Sequence, residues 1–235
     1  MKLGLIICDH VRPEFVDVSG DYPDMFRRLF EGHQDVELVV YDAVNGEIPT
    51  DPSECDAWIT TGSRHSVNDD LPWIRRLEDF VREVASTDVA FVGVCFGHQL
   101  IAKALGGSVV QSDRGWGVGI KEIEVNDDLE LGAYRILNSH QDQVESLPPG
   151  AEVLGWSEHC PVAMLGVGEN LIGIQGHPEF ELEYSRALME SRRGHLIPEE
   201  TVDAGLATLD SAPDSDRLAD WILAFVSRPR GYGSG

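Results

Sequence analysis

Apolar residues run unbroken over positions 3–8 and again over 89–94, as in strands covered on both faces by other parts of the chain. Residues 36–41 and 57–60 read as two further strands, the second ending at Thr61-Gly62-Ser63. Between these runs the period changes. Met25, Phe26, Leu29 and Phe30 recur at helical spacing with Gly32 as a stop, and Trp73, Ile74, Leu77, Phe80, Val81 and Val84 form an amphipathic helix opened by Pro72. A helical pattern also spans 98–105, directly behind the second apolar run. Strands alternating with helices over the first hundred residues predict an α/β fold of three layers, a mostly parallel central sheet with helices on both faces.

Beyond Gly106-Gly107 the pattern shifts to short alternating segments, over 108–125 and 134–165, interrupted by Gly, Asn-Asp and Pro-Pro. These predict antiparallel strands added to the edge of the sheet. Residues 170–175 read as a last buried strand, followed by a helix over about 181–193. Residues 198–227 read as one or two helices, with Leu218, Trp221, Ile222 and Phe225 on one face, expected to pack on the main body, a partner-binding helix being the alternative. The expected organisation is a main domain over 1–195, a helical extension over 196–228 and a flexible tail over 229–235.

Composition narrows the setting. Of 235 residues 42% are hydrophobic, enough for a core without disulfides or metal. The net charge is −23, from 18 basic and 41 acidic residues spread along the chain, a surface that repels nucleic acid and anionic lipid. Only three of the basic residues are lysine, and adaptation to a salty interior would produce such a bias. The four cysteines, Cys8, Cys55, Cys95 and Cys160, form no C-x-x-C pair and read as free thiols of a reducing compartment, with no metal site. The N-terminal apolar run is too short for a signal peptide and no run reaches a membrane span, so a cytoplasmic protein is expected.

Two places carry candidate chemistry. Gly93-Val94-Cys95-Phe96-Gly97 joins a buried strand to a helix and has the form of a nucleophile elbow with cysteine in place of serine. The glycines permit the sharp turn, and the helix N-terminus behind Cys95 favours its thiolate. A buried cysteine packed between strand and helix is the alternative. In Gly176-His177-Pro178-Glu179, His177 follows a buried strand, where α/β folds place active groups. Pro178 biases His177 to an extended conformation, which puts Glu179 on the same side. A carboxylate beside an imidazole fixes its tautomer and favours the imidazolium; a turn histidine with an incidental glutamate is the other reading.

Together, Gly93-Val94-Cys95-Phe96-Gly97-His98-Gln99 and Gly176-His177-Pro178-Glu179 resemble the class I glutamine amidotransferases, whose Cys-His-Glu group hydrolyses the side-chain amide of glutamine. Thr60-Thr61-Gly62-Ser63 stands where that family has a glycine-bearing loop. Ser139-His140-Gln141-Asp142-Gln143-Val144 is similar to a segment of the glutaminase domain of GMP synthetase. The resemblance covers roughly residues 3–190 and implies the flavodoxin-like fold of the family. It implies Cys95 as nucleophile, His177 as acid and base, and Glu179 as the group orienting His177. It further implies an oxyanion hole from the N–H groups of Gly62 and Phe96, and a substrate head group held by Gln99, Ser139, His140 and Gln141. No cofactor is implied.

The segment after Glu179 is too short for a nucleotide-using synthetase, and no phosphate-cradling glycine motif occurs. The expected function is therefore a stand-alone cysteine hydrolase cleaving the γ-amide of glutamine or a γ-glutamyl compound, similar to plant γ-glutamyl peptidases. The alternatives are the glutaminase subunit of a two-chain enzyme, feeding ammonia to a synthase partner, and a non-catalytic binding module on the same fold. Among the remaining residues, His98 reads as packing or capping the elbow helix, and His65 as a loop residue near the pocket. Arg64 reads either as a partner for a substrate carboxylate or as a surface arginine, and Trp116 as packing over the pocket rim or, in preference, filling a glycine-rich turn. His10, His33, His159 and His195 show no pattern.

Overall fold

The expected apolar runs become interior strands of the sheet. In the computed structural model, which describes residues 1–229, β1 (Lys2–Ile7) lies between β2 (Glu37–Asp42) and β3 (Ala57–Thr60), parallel to both, and β4 (Ala90–Val94) follows parallel to β3. Side chains of β1 alternate between two cores. Leu3, Leu5 and Ile7 enter one, while Ile6, with Cys8 just beyond the strand, enters the other. The first core is closed by α1 (Pro13–Ser19) and α2 (Tyr22–Leu29), and the second by α3 (Pro72–Ala85) and α4 (Phe96–Ala104). That is the expected three-layer arrangement.

The second half supplies the antiparallel strands. β5 (Ser108–Gln111) and β8 (Asp142–Ser146) pair with each other outside the main sheet. β6 (Gly117–Val125), β7 (Tyr134–His140), β9 (Ala151–Trp156), β10 (Met164–Val167) and β11 (Leu171–Ile174) extend it. The sheet order is β2-β1-β3-β4-β11-β10-β9-β6-β7, parallel from β2 to β11 and antiparallel beyond. The last strand in sequence therefore enters the middle of the sheet and pairs with β4, Ile174 opposite Val94.

The helix expected over 181–193 is α5 (Leu182–Arg192), and the C-terminal segment forms α6 (Glu199–Ala207) and α7 (Ser215–Val226). Leu218, Trp221, Ile222 and Phe225 of α7 are buried in the same core as Leu3 and Val92, and the Trp221 Nε1–H donates to the Leu129 carbonyl at 3.0 Å. Helix α1 carries no sequence stripe, since only Phe15 and Ser19 of its seven residues are buried; Pro13 at its start and Gly20 at its end frame it instead. No helix among the described residues is long and apolar enough to cross a membrane. Of the tail expected over 229–235, all but Pro229 lies outside the described residues.

Candidate active site

Cys95 occupies the joint between β4 and α4 at φ 50° and ψ −93°, a left-handed backbone that a side chain adopts only when its surroundings enforce it. The enforcement is local. The Cys95 N–H donates to the Ile174 carbonyl at 2.8 Å, and its own carbonyl accepts the first helical bond from the Gln99 N–H at 3.1 Å. The flanking glycines are required by closeness. A Cβ on Gly93 would lie 2.4 Å from the Gly97 backbone, and one on Gly97 would lie 1.8 Å from Thr60 Oγ1. Strand and helix thus meet with no side chain between them.

The pairing of β11 with β4 carries residues 175–180 past Cys95. Backbone pairing with β7 holds His177, whose N–H donates to the Leu137 carbonyl at 2.8 Å. Glu179 Oε1 is 2.8 Å from His177 Nδ1, with both side chains buried. The charge of Cys95 acts on the imidazole from nearby, and the Gly62 loop lies against both residues. Phe180 stacks on the imidazole at 3.8 Å between ring centroids and 11° between planes, and Tyr184 meets Phe180 edge-on. A Cβ at Gly62 would lie 2.6 Å from His177 Cε1 and 3.6 Å from Cys95 Cβ, so only glycine lets this loop close over the pair. Burial disfavours the imidazolium, but the charges of Glu179 and Cys95, with the Glu179 hydrogen bond, outweigh it and raise the His177 pKa.

Cys95 opens into a cleft of about 430 Å³. Phe96, Gln99, Ser139, His140 and Gln141, all singled out from sequence, line it. As the first residue of α4, Phe96 has an N–H without an intrahelical acceptor. The Gln99 Nε2–H donates to the Asp142 carbonyl at 2.8 Å and to Gln175 Oε1 at 3.1 Å. Sequence reasoning misses Gln175, although it ends a buried strand; its Nε2 is 3.6 Å from Cys95 Sγ. Ser139 Oγ accepts from Arg192 Nη1 at 2.9 Å, and Gln141 Oε1 accepts from Gln111 Nε2 at 3.0 Å. His140 is buried with Nδ1 3.2 Å from the Asp142 carbonyl, and burial, with the charge of His159 next, lowers its pKa to about 3.

The rim residues have partners within the protein. Arg64 is committed within the protein, its Nε 2.8 Å from Asp9 Oδ2 and its Nη2 donating to the His10 carbonyl. Trp116 lines the cleft and lies under the Arg192 guanidinium, 5.4 Å from Cζ to the ring centroid. His98 is a packing residue between α4 and β11: it is fully buried, which lowers its pKa to about 4, and a Cβ on Gly173 would lie 2.6 Å from its Nδ1. His65 borders the cleft with Nδ1 3.4 Å from Asp69 Oδ2. Sequence reasoning also misses Arg192, because nothing in the helical pattern over 181–193 tells which arginine turns toward the cleft.

The model of the family "Glutamine amidotransferase class-I" matches residues 24–192 of this chain. Gamma-glutamyl peptidase 3 of Arabidopsis thaliana is 30% identical over 228 residues, 90% of this chain and 90% of its own. One subunit of the glutamine-hydrolyzing GMP synthase of Thermococcus kodakarensis is 40% identical over 98 residues, 39% of this chain and 52% of that protein. A solved structure of a glutamine amidotransferase from Methylobacillus flagellatus superposes with a TM-score of 0.72 over 100% of this chain and 98% of its own; at 21% identity that likeness speaks for the fold alone.

Proposed function

The chain belongs to the class I glutamine amidotransferase family, and from that premise we propose a cysteine hydrolase that cleaves the γ-amide of glutamine or a γ-glutamyl compound at Cys95. The observation that carries the reading is that Cys95 and the His177 ring lie together under the Gly62 loop, with Glu179 Oε1 2.8 Å from His177 Nδ1. The Cys95 thiolate attacks the γ-carbonyl carbon, and the N–H groups of Gly62 and Phe96 receive the oxyanion. The C–N bond breaks as the His177 imidazolium gives its proton to the departing nitrogen, leaving a γ-glutamyl thioester and a neutral imidazole. That imidazole takes a proton from water, the hydroxide adds to the thioester, and glutamate leaves as the thiolate and imidazolium are restored. Glu179 keeps the ring oriented and favours its charged form. Gln99 and the backbone of Ser139, His140 and Gln141 bind the amino-acid head group, and the Ser139 hydroxyl is left to Arg192.

The four cysteines are free, which supports a reducing setting such as the cytoplasm. A second reading, ammonia supply to a synthase partner, is favoured by the likeness to the GMP synthase subunit. Incubation with glutamine and with γ-glutamyl dipeptides, measuring ammonia and glutamate and trapping Cys95 for mass spectrometry, tests both. The expected result is hydrolysis by the isolated chain with a γ-glutamyl adduct on Cys95, both absent from Cys95→Ala. Turnover that survives Cys95→Ala refutes the proposal, and weak glutaminase activity stimulated by a synthase favours the second reading.

A further inference from the structure

Arg192 lies at the end of α5 with most of its side chain buried, and its guanidinium has no carboxylate within 4.0 Å among the described residues. Its contacts are the Ser139 hydroxyl and the Trp116 ring, and its buried Nε has no hydrogen-bond acceptor. Arg12 lines the same cleft, and its carboxylate contact is Glu14, at 4.0 Å. Burial, and next the charge of Arg12, push the Arg192 pKa below the ordinary arginine value, the sign of a cationic site short of an anion. In a protein of net charge −23, under-neutralised guanidinium groups facing a cleft call for a ligand.

Their position indicates which part of a substrate they meet. A second, smaller cavity of about 40 Å³ lies against His177 and Phe180, and Arg12, Ser63, Arg64, Ser139 and Arg192 line both it and the main cleft. Gln99, Gln141 and Trp116 line the main cleft only. The departing nitrogen has to face His177, its proton donor, so the group attached to that nitrogen lies toward the shared border. Ammonia leaving from glutamine needs no cation there.

We propose that Arg192, with Arg12 beside it, binds a carboxylate carried by the leaving group, so that the preferred substrates are γ-glutamyl peptides whose departing amino acid or short peptide has a free C-terminus. This rests on the hydrolytic reading above. The cation makes no bond change itself: the γ-carbonyl C–N bond breaks as already described, and the carboxylate stays ionised throughout.

The test compares γ-glutamylglycine with γ-glutamylglycinamide, which differ only in that carboxylate. The wild-type chain is expected to favour the acid by about tenfold or more in kcat/KM, mainly through KM, as a buried charge-assisted contact would require. Arg192→Gln should reduce the preference to under about threefold, and Arg192→Lys should restore part of it. Equal rates on acid and amide in the wild-type chain overturn the proposal without any variant, as does a preference left intact in Arg192→Gln. Calorimetry on Cys95→Ala repeats the comparison without turnover. Tighter binding of the acid supports the carboxylate site even if hydrolysis fails, and equal binding overturns it even if hydrolysis succeeds.

Discussion

Glu179→Gln separates the charge of the buried acceptor from its shape. The amide oxygen can still accept the His177 Nδ1–H, while the amide nitrogen takes the place of Oε2, which has no hydrogen-bond partner. With Oε1 2.8 Å from Nδ1, the charge centres of carboxylate and imidazolium are ~4 Å apart, worth about 4 kcal/mol at an effective dielectric of about 20. The amide dipole and local relaxation recover part of this, so the His177 titration midpoint should fall by about 2 pH units. An NMR titration of the His177 ring, with Cys95→Ala as the common background, reads this directly. With Cys95 present, the ratio of imidazolium–thiolate to neutral pair should fall by about two orders of magnitude, which lowers iodoacetamide alkylation of Cys95 at about pH 7. The buried amide donors cost about 1–3 kcal/mol of stability, so thermal unfolding must accompany the kinetics. A His177 midpoint unchanged within about half a unit, in a variant that is folded, would refute the electrostatic role of Glu179.

Two further outcomes follow from other contacts. Gly97→Ala places a methyl 1.8 Å from Thr60 Oγ1 and should destabilise the chain by about 2 kcal/mol or more in urea unfolding, with partial recovery when Thr60→Ala is added; an unchanged midpoint would show that the β4–α4 joint yields easily. His10 lies between Asp21 and Asp42, whose carboxylates outweigh burial and raise its pKa. Its stabilisation is complete below the unfolded-state value of about 6.5 and is lost as pH rises through the raised folded-state value. His10→Ala should therefore lower the Tm at about pH 6, by an amount reflecting no more than about 1 kcal/mol for a partly exposed pair, and have little effect at about pH 9; a pH-independent loss would exclude the charge pairing.

The chain's own pattern determined much of this protein. Continuous apolar runs specified β1 and β4 because both faces of a central strand are covered, and the stripe from Trp73 to Val84 specified α3. Gly93 and Gly97 around Cys95 marked the turn because a tight joint leaves no room for side chains. His177-Pro178-Glu179 brings ring and carboxylate together as expected, but through a turn at Pro178 and Glu179 where an extended stretch is predicted. What local pattern could not contain is adjacency between distant segments. The insertion of β11 between β4 and β10, which carries His177 to Cys95, is a choice among strand orders that all bury the same residues. Likewise α1 has too narrow a buried face to announce itself, and Arg192 meets Ser139 and Trp116 only because α5 docks in one orientation against β7. Sequence periodicity reports which face of an element is apolar; which neighbours cover that face, and which polar groups are thereby left facing a cleft, is settled only when the whole chain packs.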